Sequence, residues 1–226
     1  FTKVLYQNYD SIKTPVFNFF FFVKEEKQIF QFVTSYFLNT SVNSKIMGMD
    51  ALFVDLAREY YLSGEAFWAS DETIEKIEEN VLFAKDNLIG KVAPDLTLES
   101  FDGEYFTLHD VEAEYTLVLI YEPNCSHCKV FVPDLHEKVY EPFKDKGVEV
   151  YAIYSMDDKK EWGEFLTQHG LFDWINVWDE HHVSRFKILY DARKTPGLYV
   201  LDENKEIVAK KMTVDQVKQF LETRLN

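Results

Sequence analysis

Cys125 and Cys128, the only two cysteines of the chain, stand three positions apart in YEPNCSHCKV, residues 121–130. Cys125 comes directly after the apolar run TLVLIY, which reads as a buried strand, and opens a segment of helical periodicity over residues 126 to about 145. A sulfur at such a junction faces unpaired backbone N–H groups and the positive end of a helix dipole, and both favour a thiolate. The thiolate is the nucleophile of disulfide exchange. A second cysteine one helical turn on can attack the resulting mixed disulfide and release the product.

Other sulfur chemistries fit less well. A zinc site needs about four ligands, and there is no second Cys-x2-Cys. The histidines His109, His127, His136, His169, His181 and His182 form no His-x3-His ladder, so no metal and no cofactor are expected. A purely structural disulfide closing so short a loop would stabilise little on loop-entropy grounds. Peroxide reduction by the Pro-x3-Thr-x2-Cys arrangement would need proline where Val118 stands and threonine where Glu122 stands. Redox exchange remains the leading reading. Around the pair, the His127 ring can donate to the Cys125 thiolate or, when protonated, place a positive charge near it. Glu122 is the nearest acid, with a solvated loop glutamate as the plainer alternative. His181-His182 reads as a solvated turn, and Trp162, Trp174 and Trp178 as packing residues.

These side chains need elements to hold them. Residues 1–89 carry helical periodicity, with Ile29, Phe32, Val33, Tyr36 and Phe37 on one expected face and Leu52, Phe53, Leu56 and Tyr60 on another. The last helix of this part has Ser70 as its cap and a stripe of Ile74, Ile77, Val81, Ala84 and Leu88. The phenylalanines of VFNFFFF read as core or interdomain packing, with a lipid or partner surface as the other reading. Gly90, Pro94 and the Asp102-Gly103 turn mark a boundary near residue 90, followed by a short hairpin. Residues 90–226 then alternate: TLVLIY, a helix, VEVYAIYS, a helix, INVW, a helix from near His182, GLYVLD, EIVAKKM, and a final helix with a Thr213–Gln216 capping box. The expected class is α/β, a sheet with helices on both faces, preceded by a small all-α domain.

Charge and hydropathy exclude some partners. The 226 residues hold 24 basic and 39 acidic side chains, a net charge of −15 spread along the chain, which repels nucleic acid. The longest wholly apolar run, Phe19 to Val23, is far below the roughly 20 residues of a membrane helix. The chain opens at Phe1 without a leader pattern, so removal of a signal or anchor segment is expected.

Together, GKVAPDLTLESFDGEYFTLHD, CSHC, PDLHEKVYEPFKDKGVEVYAIYSMDD and TPGLYVLDENKEIVAKK resemble the TlpA/ResA-type thiol-disulfide oxidoreductases of the bacterial envelope, thioredoxin-like proteins related to AhpC/TSA. The first domain is similar to helical domains that precede such modules in envelope proteins of Gram-negative anaerobes. The resemblance implies a thioredoxin-like fold, with a central mixed sheet, an N-terminal hairpin and an inserted helix. It implies Cys125 as exposed attacking thiol, Cys128 as buried resolving thiol, Ser126 and His127 as residues that tune the pair, and Pro196 as a cis-proline facing it. Thr195 would pair its backbone with a substrate strand. Cysteine-containing protein substrates, a membrane redox partner, and a periplasmic or envelope location through a lipidated N-terminus are further implications. The sequence departs from the family at Asn124, where a tryptophan is usual, at Leu119, where thioredoxin has a buried acid, and at Phe131, where some relatives have glutamate. Asn124 would therefore alter the substrate surface, and Glu122 is left as the stand-in proton carrier. A histidine before the second cysteine is shared with protein disulfide isomerases and DsbA, and implies a pair more oxidising than thioredoxin at about −270 mV. The alternative is a non-catalytic binding module whose helical domain captures a partner or dimerises.

Overall fold

The computed structural model describes residues 8–225, which divide into two compact units, one ending at Leu88 and the other beginning at Ile89. The first holds α1 (Tyr9–Val23), α2 (Lys27–Val42), α3 (Met49–Leu56), a π turn (Ala57–Tyr61) and α4 (Asp71–Ala84). Asn8 caps α1 by accepting the Ser11 N–H at 2.9 Å, and Ser70 caps α4 by accepting the Thr73 N–H at 3.3 Å, each satisfying one orphan donor of a first turn. Val16, Phe20, Phe30, Phe37, Leu52, Leu56 and Tyr60 form the core of this unit, with the Phe20 and Tyr60 rings 4.7 Å apart.

Two expectations shift here. Phe20 lies on the buried Ile12–Val16–Phe20 stripe, whereas Phe21 and Phe22 are 80% and 79% exposed, since neighbours on a helix are turned roughly 100° apart. The buried face of α2 is Phe30, Val33, Thr34, Phe37, Leu38 and Ser41, which leaves Ile29, Phe32 and Tyr36 outside. Hydroxyls made this possible: Thr34 Oγ1 donates to Phe30 O at 2.7 Å and Ser41 Oγ to Leu38 O at 2.9 Å, so both polar groups go inside already paired.

The second unit is built on seven strands in the order β2-β1-β5-β4-β3-β6-β7. These are β1 (Thr97–Ser100), β2 (Tyr105–Thr107), β3 (Tyr115–Tyr121), β4 (Val148–Tyr154), β5 (Ile175–Trp178), β6 (Gly197–Asp202) and β7 (Ile207–Lys210). β3, β4 and β5 run parallel, β6 is antiparallel to β3, and β1–β2 form the expected hairpin. The helices are α5 (Cys128–Leu135), α6 (Glu141–Phe143), α7 (Lys159–His169), α8 (Phe186–Leu189) and α9 (Val214–Glu222). Alternation along β3 and β4 sends Leu117, Leu119, Tyr121, Val150, Ala152 and Tyr154 to a core shared with α5, α7 and α9. Val118, Ile120, Tyr151 and Ile153 face the other way, onto α8 and the segment carrying Leu96, Leu98 and Leu108. Helices do lie on both faces, but unequally.

Two expected helices are reshaped. The one expected over residues 126–145 breaks into α5, a π turn over His136–Tyr140, and α6. Pro142 has no N–H to offer the Lys138 carbonyl, and a widened turn absorbs the missing rung. The helix expected near His182 begins only at Phe186, because Asp179 accepts from the Val183 and Ser184 N–H groups and the Ser184 hydroxyl, folding that stretch into a loop.

Candidate active site

β3 is buried from Thr116 to Tyr121 and delivers the chain to the carboxyl edge of the parallel strands. Its last carbonyl, Tyr121 O, accepts the Ser155 N–H at 3.1 Å, which fixes the strand end against β4. The Cys125 N–H then reaches back to Glu122 O at 3.1 Å, closing a turn over Pro123-Asn124. Cys125 O accepts the Lys129 N–H at 3.1 Å and His127 O the Phe131 N–H at 2.9 Å. Helical hydrogen bonding therefore starts at Cys125, although α5 proper counts from Cys128, and the Cys125 sulfur sits where the first backbone N–H groups have no helical partner.

The two thiols have opposite surroundings. Cys125 is half-buried, and Cys128 is fully buried among Tyr121, Val132 and Leu198. Burial pushes the Cys125 thiol up, but hydrogen bonds from the Cys128 N–H, the Thr195 side chain, the Cys128 thiol and the His127 N–H outweigh it and leave the pKa below its ordinary value. Burial dominates at Cys128 and pushes it up to about 12, with the Cys125 side chain adding to the rise and the Glu122 N–H opposing it. One contact works against the Cys125 thiolate: the thiol donates to Thr195 O at 3.4 Å, a bond that only the protonated form makes.

The structure brings most of the expected site residues together, through atoms that the sequence does not single out. The Thr195-Pro196 peptide is cis and precedes Gly197, which pairs with Ile120 near the end of β3. His127 serves Cys125 through its backbone N–H, while its ring is exposed and makes no hydrogen bond to the sulfur among the described residues. Glu122 serves Cys128 through its N–H, and its carboxylate lies 3.3 Å from Ser155 Oγ. Ser126 is exposed in the turn. Asn124, also exposed, donates from Nδ2 to Glu161 Oε1 on α7. Ser155 and Glu161 belong to the surroundings of the site without any signal in the sequence, since neither lies near the cysteines along the chain. Among the described residues, no group of three metal-capable side chains includes either cysteine.

A reduced thiol pair of this kind, one accessible with its pKa lowered and one buried with its pKa raised, has the chemistry that two-step disulfide exchange needs. Comparison with known proteins points the same way. Thiol-disulfide oxidoreductase ResA of Halalkalibacterium halodurans is 26% identical over 142 residues, covering 59% of this chain and 75% of its own. The thioredoxin domain of a thiol-disulfide oxidoreductase from Bacteroides vulgatus superposes with a TM-score of 0.56 at 27% identity, over 61% of this chain and 98% of its own. A thioredoxin-like protein from Bacteroides caccae shares the fold over 88% of this chain and 72% of its own, with a TM-score of 0.70 at 22% identity. The AhpC/TSA family matches over residues 89–210, more than half of the 226-residue chain. The chain thus belongs to the AhpC/TSA family, as a thioredoxin-like protein homologous to the ResA thiol-disulfide oxidoreductases.

Proposed function

We propose that this protein exchanges disulfides with cysteine-containing protein substrates, with Cys125 as nucleophile and Cys128 as resolving thiol. The observation that carries this reading is the split between the pair: the accessible thiol is made more acidic and the buried one less. In the reducing direction the Cys125 thiolate attacks one sulfur of a substrate disulfide, the new S–S bond forming as the old one breaks and a substrate thiolate departs. Cys128 then attacks Cys125 Sγ, its proton passing to the departing sulfur. The second substrate thiol is freed, and two electrons have moved from the pair to the substrate. Oxidation of a substrate dithiol is the same sequence reversed. Hydrogen bonds that stabilise the Cys125 thiolate stabilise the reduced pair, so the potential is expected above about −270 mV, on the oxidising side of thioredoxin.

Thr195, Pro196 and Asn124 form the proposed substrate-facing surface, with Ser126, His127 and Glu122 tuning the pair. The proposed location is the periplasm or cell envelope, where a membrane redox partner would recycle the pair. No described helix is long and apolar enough to cross a membrane. The test is insulin reduction and refolding of a scrambled disulfide protein, comparing the native chain with Cys125→Ser. Equal rates would sink the proposal. A second reading, a binding module, draws on the exposed Phe21, Phe22, Phe32 and Phe67 of the helical unit. Trapping with Cys128→Ser separates the two: exchange yields mixed disulfides with defined proteins, and a binding module captures partners whether or not its cysteines are present.

A further inference from the structure

At the end of α5 away from the cysteines, His136, Glu141 and Asp173 offer one ligand atom each, all within 4.8 Å of one another. His136 Nε2 is 3.4 Å from Asp173 Oδ1 and 3.5 Å from Glu141 Oε1. These are charge-pair distances without hydrogen-bond geometry, and Nε2 is sealed from solvent with no hydrogen-bond partner. Buried polar atoms left in that state are few in native proteins.

The backbone is bent to make this cluster. Residues five apart on an α-helix point about 140° away from each other. The π turn over His136–Tyr140, closed by the Glu141 N–H on His136 O, swings Glu141 round to the His136 side. The imidazole is held between the Tyr140 ring at 5.7 Å and the Trp174 ring at 5.6 Å. Tyr140 Oη donates to Asp173 O at 3.0 Å, tying down the loop that carries the third side chain.

We infer that His136, Glu141 and Asp173 form a site for one first-row divalent transition-metal cation of the zinc type, with water completing its shell. One imidazole and two carboxylates suit zinc, cobalt or nickel better than the all-oxygen shells of calcium and magnesium. Ligand atoms about 2.1 Å from a shared tetrahedral ion lie about 3.4 Å apart, the spacing that Nε2 keeps from both oxygens. Glu141 and Asp173 are 43% and 39% exposed, which leaves a side open to water. Lys144 is the competitor: its Nζ is 2.9 Å from Glu141 Oε1 and 3.8 Å from Asp173 Oδ2, and the ion would displace it. The expectation of no metal rested on the lack of a second Cys-x2-Cys and of a His-x3-His ladder. A His-x4-Glu pair across a π turn, completed by an aspartate from another loop, makes no ladder. The bound ion would clip the end of the α5–α6 segment to the loop ahead of β5, at the sheet edge opposite the cysteines.

The test uses the full chain with Cys125 and Cys128 oxidised to their disulfide, so that neither thiolate can bind metal. Calorimetric titration with zinc chloride should show one site per chain, and zinc should raise the unfolding midpoint. Asp173→Asn and Glu141→Gln should each weaken binding at least tenfold, whereas Lys144→Met should tighten it. If Asp173→Asn fails to fold, Glu141→Gln alone decides, because that side chain is partly exposed. No zinc uptake by the oxidised native chain, or uptake unchanged in the carboxylate variants, would overturn the inference.

Discussion

Alkylation of the reduced pair tests the division of labour between the two sulfurs most directly. Burial raises the Cys128 thiol from an ordinary 9.0 to about 12, which cuts its thiolate fraction at neutral pH by about a thousandfold. Cys125 lies on the other side of 9.0. A more basic thiolate is intrinsically the better nucleophile, and a Brønsted slope of about 0.4–0.5 over three pK units returns about 15- to 30-fold to Cys128. With Cys125 counted at the ordinary 9.0, the net preference for it is about 30- to 60-fold from protonation chemistry alone, and its lowered pKa widens that. Seclusion of Cys128 from solvent adds to it. Quench-flow labelling with iodoacetamide at pH 7, followed by peptide mass mapping, should place nearly all early label on Cys125. The rate should rise with pH as the Cys125 proton is lost, with a midpoint below 9, because its folded pKa is depressed. Comparable early labelling of both cysteines, or a Cys125 midpoint at or above 9, would refute the reasoning.

Thr195→Val keeps the backbone carbonyl beside Cys125 and removes the hydroxyl that favours its thiolate, so the alkylation midpoint should move up and thiolate at pH 7 should fall roughly tenfold, the size of one hydrogen bond to a charged group. An unmoved midpoint would mean that the backbone N–H groups alone acidify Cys125. Beneath the site, Trp162 is fully buried, donates from Nε1 to Tyr121 Oη at 2.9 Å and stacks on Tyr154 with ring centroids 5.1 Å apart. Trp162→Phe should cost roughly 1–3 kcal/mol for leaving the Tyr121 hydroxyl one bond short, with a cavity cost added, as read by urea unfolding. A loss under about 0.5 kcal/mol would show that this bond is not what braces the end of β3.

Legibility in the sequence followed the range of the interactions. TLVLIY and VEVYAIYS announce buried strands because burial on both faces demands unbroken apolar runs, and both are strands here. Ser70, Thr213 and Gln216 were legible because a cap is a contact between residues three apart. The inner face of α2 was not, since Thr34 and Ser41 go inside by bonding carbonyls of their own helix, and a hydrophobicity pattern counts them as polar. The π turn was hidden too, because Pro142 shows only that a rung is missing and not how the chain closes the gap.

The same limit shaped the site. Spacing made Cys125 and Cys128 visible, but Asn124 meets Glu161 and Cys125 meets Thr195 only after the sheet has assembled, at sequence separations of 37 and 70. Glu122 shows what this changes. By proximity its carboxylate is the natural stand-in proton carrier, yet that carboxylate lies against Ser155 while the Glu122 N–H approaches Cys128. Besides burial, the groups that shift the Cys128 thiol most are the Glu122 N–H, the Cys125 thiol and the Thr195 side chain, and none of these is a carboxylate. On the proposed mechanism the Cys128 proton passes instead to sulfur: the second substrate sulfur becomes basic as it leaves Cys125 under attack by Cys128, so the exchange step itself supplies the base.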